Sequence, residues 1–186
     1  MSNKREQIMR TAMQLFCEEG FHATPTSKIA KEAGVATGTL FHHFESKEAL
    51  INELYIYVKT RLREALKKNL DFTADTRSIF LQLWKNDLYW FIQHYDEFIF
   101  LQLHHHSNVI MEHTRQMLYD DYSDIIEQFQ KAIAQNNLKS DNLEYVLCNF
   151  IFNVNQNCIY FHDHPTTFND QTVEAHFEIY YSGLSR

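Results

Sequence analysis

The segment 24–47, Thr-Pro-Thr-Ser-Lys-Ile-Ala-Lys-Glu-Ala-Gly-Val-Ala-Thr-Gly-Thr-Leu-Phe-His-His-Phe-Glu-Ser-Lys, constrains the fold most, because two short helix signals flank a glycine turn. Thr24 suits an N-cap, and Pro25 the first helical position, where its missing N–H costs nothing. Ile29, Ala30 and Ala33 recur at helical spacing, and Gly34 falls where the chain must leave the helix through left-handed backbone. The spacing predicts a helix over 24–33, a turn over 34–36, and a second helix from near Thr37 that carries Leu40 and Phe44 inward. Thr37, Gly38, Thr39, Phe41, His42 and His43 then line its outer side. That is the layout of a helix-turn-helix, whose second helix enters the major groove of DNA. A glycine turn also occurs in many small helical domains, so spacing alone leaves an ordinary helix pair equally open.

The outer residues carry the right chemistry for a groove. Small hydroxyl and glycine residues let backbone approach DNA, and threonine offers a hydroxyl for base edges or phosphates and a methyl for thymine. His42 and His43 add donors, and Lys47 lies just beyond the helix, where a cation pairs with a phosphate.

Residues Ile29-Ala30-Lys31-Glu32-Ala33-Gly34-Val35-Ala36-Thr37-Gly38-Thr39-Leu40-Phe41-His42-His43-Phe44, followed by Ser46-Lys47-Glu48-Ala49-Leu50, closely resemble the DNA-binding domain of the TetR/AcrR family of bacterial transcriptional regulators. The resemblance is ungapped and takes in a first helix with Ile8, Ala12, Leu15 and Phe16 on one face, covering roughly 4–57. Two departures stand out. Phe41 replaces a usual tyrosine and loses its hydroxyl, and His42 takes the next position, so an operator sequence does not carry over from relatives. Pro25 replaces a frequent serine or threonine, while Thr24 and Thr26 keep hydroxyls nearby. With Lys28 they complete the candidate DNA contacts: Thr24, Thr26, Lys28, Thr37, Gly38, Thr39, Phe41, His42, His43 and Lys47.

Of the 186 residues 45% are hydrophobic, with only four glycines and two prolines, so few breakers interrupt long helices and an all-α fold is expected. No apolar run of about 18 residues occurs, and Met-Ser-Asn-Lys-Arg-Glu opens the chain with no apolar segment behind it, so a cytoplasmic protein without membrane contact is expected. Cys17, Cys148 and Cys158 are odd in number and lack Cys-x-x-Cys spacing, which reads as buried thiols rather than a disulfide framework or zinc ribbon. The net charge of -7 argues at first against a nucleic-acid partner. Up to Leu50, however, Lys4, Arg5, Arg10, Lys28, Lys31 and Lys47 balance Glu6, Glu18, Glu19, Glu32, Glu45 and Glu48, so the acidic excess lies wholly in the remainder.

Beyond Leu50 the pattern predicts a connector helix over about 47–69 with Ser46 as N-cap, then a helix capped by Asp75 or Thr76, a short one over 97–104, and one long helix over 107–136. Two last helices are expected at about 141–162 and 170–183, separated by a turn at Pro165. The expected architecture is an N-terminal three-helix DNA-binding domain over 1–48 and a helical effector-binding and dimerisation domain over 49–186.

The last two helices carry broad apolar faces, Val146, Phe150, Val154 and Phe161 on one and Val173, Phe177, Tyr180 and Tyr181 on the other. In the family such a pair forms a two-fold four-helix bundle, so the resemblance implies a homodimer with these residues at its interface. The plain alternative is that they are core. The resemblance further implies a small apolar or aromatic effector in a cavity between helices, with candidate contacts Trp84, Trp90, Phe91, Tyr95, Phe98, Tyr119, Tyr122, Phe129 and Asn153, although aromatics at helical spacing also serve as ordinary core. It implies repression of a palindromic double-stranded operator by a homodimer, relieved or promoted by that effector.

The rival reading is a metal sensor or metalloenzyme, prompted by His94, His104-His105-His106, His113 and His162-Asp163-His164. Three consecutive histidines on a helix point about 100° apart, so they do not converge on one ion. No nucleophile elbow, phosphate loop or paired-carboxylate motif is present, so neither an enzyme nor a cofactor is expected.

Overall fold

A computed structural model of the chain describes residues 2–105 and 107–186, with side chains from Lys4 onward. The described residues form ten α-helices and no strand: α1 (Ser2–Glu19), α2 (Thr26–Glu32), α3 (Thr37–His43), α4 (Lys47–Leu66), α5 (Thr76–Gln93), α6 (Tyr95–His104), α7 (Glu112–Asp121), α8 (Ser123–Ala134), α9 (Leu143–Asp163) and α10 (Asp170–Leu184). A single 3-10 turn, Pro165–Thr167, lies between the last two. The chain divides into two compact units, Met1–Arg61 with His94–Leu118, and Leu62–Gln93 with Tyr119–Arg186.

In the first unit α1 buries Ile8, Ala12, Leu15 and Phe16, and ends at Gly20, whose φ of +80° is left-handed. Thr24 does not cap α2. It is fully buried, and its hydroxyl donates to the carbonyls of Gly20 at 2.8 Å and Leu15 at 3.3 Å, fastening the α1–α2 turn from inside. Pro25 therefore takes the N-cap position, with no side-chain cap, and the helix opens at Thr26. Its far end is a Schellman closure: Val35 N–H donates to Ala30 O at 2.9 Å and Gly34 N–H to Lys31 O at 3.0 Å, with Gly34 at φ +64°. Ser46 caps α4 as expected, accepting from Ala49 N–H at 3.0 Å. The segment 107–111 is not helical. Asn52 of α4 takes the Val109 carbonyl and the Met111 N–H, so α7 starts only at Glu112.

In the second unit α5 lies against α8, α9 and α10. It is capped by Asp75, which accepts from Ser78 N–H at 3.1 Å and Ser78 Oγ at 2.6 Å. Helix α4 stops at Leu66 rather than near 69, because the Asn86 amide donates to the Leu66 and Lys68 carbonyls and Asn69 turns left-handed at φ +56°. The single long helix expected over 107–136 is broken at Tyr122. Arg63 donates to the Asp121 carbonyl that a continuous helix would give to Ile125 N–H, and Ile125 turns instead to Tyr122 O at 3.0 Å and Asp124 Oδ1 at 2.9 Å. The core is aromatic: Phe80 packs on Phe129 at 4.5 Å, and Trp84 stacks on Tyr180 at 5.1 Å. Asn142 caps α9 and an Asn169–Thr172 capping box opens α10.

The apolar residues expected at a subunit interface belong to this core. Val146, Phe150, Val154, Phe161, Val173, Phe177 and Tyr180 are buried within the single chain, and Tyr181 is half-buried with its ring stacked on Phe177 at 5.2 Å. The strongest helical stripe is the one the chain consumes itself. A second stripe stays outside: Tyr145, Phe152 and Ile159 recur every seven residues on α9, at 57%, 62% and 38% exposure, and Ile179 of α10 is 75% exposed.

Candidate nucleic-acid interface

Helix α3 presents two chemically different sides. Leu40 is fully buried, and Phe44 just past its end is nearly so, which fixes the roll of the helix on its neighbours α1 and α2. Thr37, Gly38, Phe41 and His42 are exposed, Thr39 and His43 half-buried, and the rings of His42 and His43 meet edge-on at 5.4 Å. No side chain caps α2 or α3, since Pro25 and Ala36 hold their N-cap positions. The exposed row thus offers hydroxyl, imidazole and an aromatic face around a glycine.

The remaining sequence-derived contacts fare unequally. Thr26 is half-buried at the start of α2. Thr24 is inside, its hydroxyl spent on backbone, so it presents nothing to a partner. Lys28 pairs with Glu19, which raises its pKa and neutralises its charge locally. Lys47 is turned inward: its ammonium donates to Phe21 O at 2.6 Å and Thr24 O at 2.9 Å and sits 4.3 Å from the Phe21 ring centre. Arg5 pairs with Glu53 and lies over the Phe44 ring. Lys4, Arg10 and Lys31, by contrast, are exposed and in no ion pair among the described residues. Sequence reasoning did not single out Arg10 or Lys31; the available signal was their position off the buried row of a helix, which spacing alone reveals once the row is known.

The nine expected effector contacts are divided between the two units. Tyr95 and Phe98 belong to the first unit; Trp84, Trp90, Phe91, Tyr119, Tyr122, Phe129 and Asn153 belong to the second. Trp84, Trp90, Phe91 and Phe129 are buried, Tyr119 is exposed, and the Asn153 amide donates back to Asn149 O at 2.8 Å. Two polar atoms of the second unit's core, Trp84 Nε1 and Tyr180 Oη, are buried with no hydrogen-bond partner among the described residues, and burial raises the Tyr180 pKa.

Among the described residues no three His, Cys, Asp or Glu side chains are grouped to hold a metal ion. His106 lies outside them. His104 is buried between Phe16 and Phe100 with neither ring nitrogen bonded among the described residues, and desolvation lowers its pKa. His105 Nδ1 lies 3.5 Å from Tyr55 Oη, and His113 and His162 are exposed. His164 Nδ1 pairs with Tyr160 O at 2.9 Å. Cys158 is buried and its thiol pushed up to about 12 by desolvation and Asp87, and half-buried Cys17 rises to about 11, but Cys148 is exposed. No helix among the described residues is long and apolar enough to cross a membrane.

The family profile for bacterial regulatory proteins, tetR family, matches residues 8–54. Over 98% of both chains the fold coincides with a structure from Shewanella sp. PV-4 described as a tetR family transcription regulator, at TM-score 0.88 and 32% identity. The transcriptional repressor KstR2 of Rhodococcus jostii is 42% identical over 53 residues, which is 28% of this chain and 26% of that protein. Matched stretches span between 18% and 46% of the length of the first curated relatives. FadR of Bacillus subtilis, solved with stearoyl-CoA, shares the fold at TM-score 0.72 and 18% identity over 96% of this chain and 98% of that one.

Proposed function

The chain belongs to the TetR family of bacterial transcriptional regulators, and on that footing we propose that it is a homodimeric repressor that reads a palindromic operator in the cytoplasm and answers to a small apolar or aromatic effector. The observation that carries the DNA assignment is the two-sided α3, anchored by Leu40 and exposing Thr37, Gly38, Phe41 and His42. Residues 1–48 are assigned to DNA and 49–186 to effector and partner, with α4 joining them. Base edges fall to Thr37, Gly38, Phe41 and His42, with Thr39 and His43 flanking. Phosphates fall to Thr26 and to the unpaired cations Arg10 and Lys31 rather than to Lys28 or Lys47.

Two recognition helices must stand about 34 to 36 Å apart, or a multiple of that, to read successive half-sites. The second α9 stripe supports a second copy as the partner. Tyr145, Phe152 and Ile159 form a seam at heptad spacing, the repeat that packs helix against helix, and Ile179 extends it onto α10. FadR's complex with stearoyl-CoA supports an effector with an apolar body. The aromatic second unit, with unpartnered Trp84 Nε1 and Tyr180 Oη, is the place we assign to it. Regulation is linkage: an effector lowers operator affinity by as much as it prefers the form that does not fit DNA.

The assignment is tested by measuring binding of Thr37→Ala and His42→Ala to a selected operator and its single-base variants. Each substitution is expected to relax discrimination at its own position by about 1 to 3 kcal/mol. Unchanged base preference in both contradicts the placement of α3 in the groove.

A further inference from the structure

Asn52, on the second turn of α4, is 5% exposed and fully bonded. Its Nδ2 donates to Glu48 O at 2.8 Å and to Val109 O at 2.9 Å. Its Oδ1 accepts from Met111 N–H at 2.9 Å and Thr114 Oγ1 at 3.0 Å. Both amide hydrogens and both lone pairs are used. Three of the four partners lie in 109–114, the stretch that leaves α6, crosses a non-helical link and enters α7.

Among the described residues of that link, Ser107 N–H donates to His104 O at 3.1 Å and Ile110 N–H to Ser107 O at 3.3 Å. The carbonyls of His105 and Ser107 accept from Arg115, the latter at 2.8 Å, and Tyr55 of α4 meets His105 at 3.5 Å. Side chains of α4 and α7 thus add to these turns in holding it. The same link and α6 fall in one compact unit with residues 1–61, and α6 packs along α1. The body that carries α3 thus includes 94–118; α6 meets α4 through the Arg61–Glu97 ion pair and the Tyr55–Phe100 rings, and 109–114 meets it through the Asn52 amide.

We propose that Asn52 is a positioning residue for operator recognition: it fixes the 109–114 link and the start of α7 to the first part of α4, stiffening the body that carries α3, and so sets how narrowly the half-site separation is defined. This inference rests on the DNA-binding reading above. Asn52 touches no base in it. Removing the amide leaves the half-site sequence preference intact, because α3 is untouched. It widens the range of separations that a pair of such bodies tolerates, because a slack body presents α3 at a spread of positions.

The test uses the full-length protein and a library of the selected half-sites set at stepped separations. Asn52→Leu leaves Val109 O, Met111 N–H and the Thr114 hydroxyl without their partner. Asn52→Asp keeps the acceptor and loses the donor. Both are expected to bind the best separation about tenfold more weakly, equivalent to about 1.4 kcal/mol, with the loss shrinking at neighbouring separations. Thr114→Val, which deletes one bond and keeps shape, is expected to do the same in smaller degree and covers the case in which the Asn52 variants fail to fold. Ile79→Ala, in the core of the second unit, serves as a control that lowers stability without broadening the profile. A folded Thr114→Val or Asn52 variant with the wild-type profile, or one with an altered half-site sequence, overturns the proposal. Failure of the wild-type protein to enrich any half-site instead overturns the DNA-binding reading beneath it.

Discussion

Lys47 illustrates how a charge that looks like a phosphate contact is spent elsewhere. Its ammonium closes on the Phe21 and Thr24 carbonyls and the Phe21 ring, while the Thr24 hydroxyl ties the same turn from within. Lys47→Ala is therefore expected to cost stability, about 1 to 3 kcal/mol for carbonyls left unmatched. It should weaken all DNA without changing the slope of log affinity against log salt. Thermal unfolding and a salt titration check this; a slope smaller by about one restores the phosphate contact. His104 poses a second residue-scale question. Buried between rings, with neither nitrogen bonded among the described residues, it has a folded-state pKa held below the ordinary 6.5 by desolvation. The unfolded chain takes up the proton first, so stability is complete above about pH 6.5 and is lost as pH falls through the lower folded-state value. His104→Leu should flatten the fall of Tm between pH 7 and 5. Equal pH dependence in the variant and the wild type contradicts that account.

At the scale of elements, the glycine turn is the sharpest local device. Gly34 at φ +64° closes α2 in a Schellman pattern and aims α3. Gly34→Ala is expected to destabilise the protein by about 1 to 2 kcal/mol, although a Cβ there meets no atom, because the strain is in the backbone. Denaturant unfolding reads it directly. Helices α1, α2, α3, α9 and α10 were legible to within a few residues because caps, glycines and spacing are short-range signals. The break at Tyr122 was not, because it is made by Arg63, far away in sequence. Nor was Thr24, whose hydroxyl suits a cap and a buried turn equally well until the neighbours are placed. On α9 and α10 the sequence shows two apolar stripes and does not say which one the chain keeps; the core took Val146, Phe150, Val154 and Phe161. Phe152→Glu, on the other stripe, should shift sedimentation from dimer to monomer while leaving the helical signal intact. An unchanged dimer would remove that face from the account.

At the scale of the whole molecule, the charge arrangement shapes the mode of binding. A net charge of -7 gives no general attraction to DNA, and several first-unit cations are paired internally. On the proposed reading, affinity rests on a few unpaired cations and on base contacts from α3, doubled by a second copy of the chain. Chain order and compactness also differ: residues 94–118 group with the DNA-binding helices although residues 62–93, which belong to the other unit, stand between them in the chain. That grouping comes from long-range packing such as α6 against α1 and is invisible to spacing. The family's resemblance made the first fifty residues readable, whereas the effector's site was not legible because aromatic residues mark core and cavity alike. The most direct measurement is selection of binding sites from random duplex DNA with purified full-length protein at moderate salt. A homodimeric operator-binding regulator enriches a two-fold symmetric motif with half-sites about one helical turn or a multiple apart. A single unsymmetric motif, or no enrichment by folded protein, contradicts that assignment.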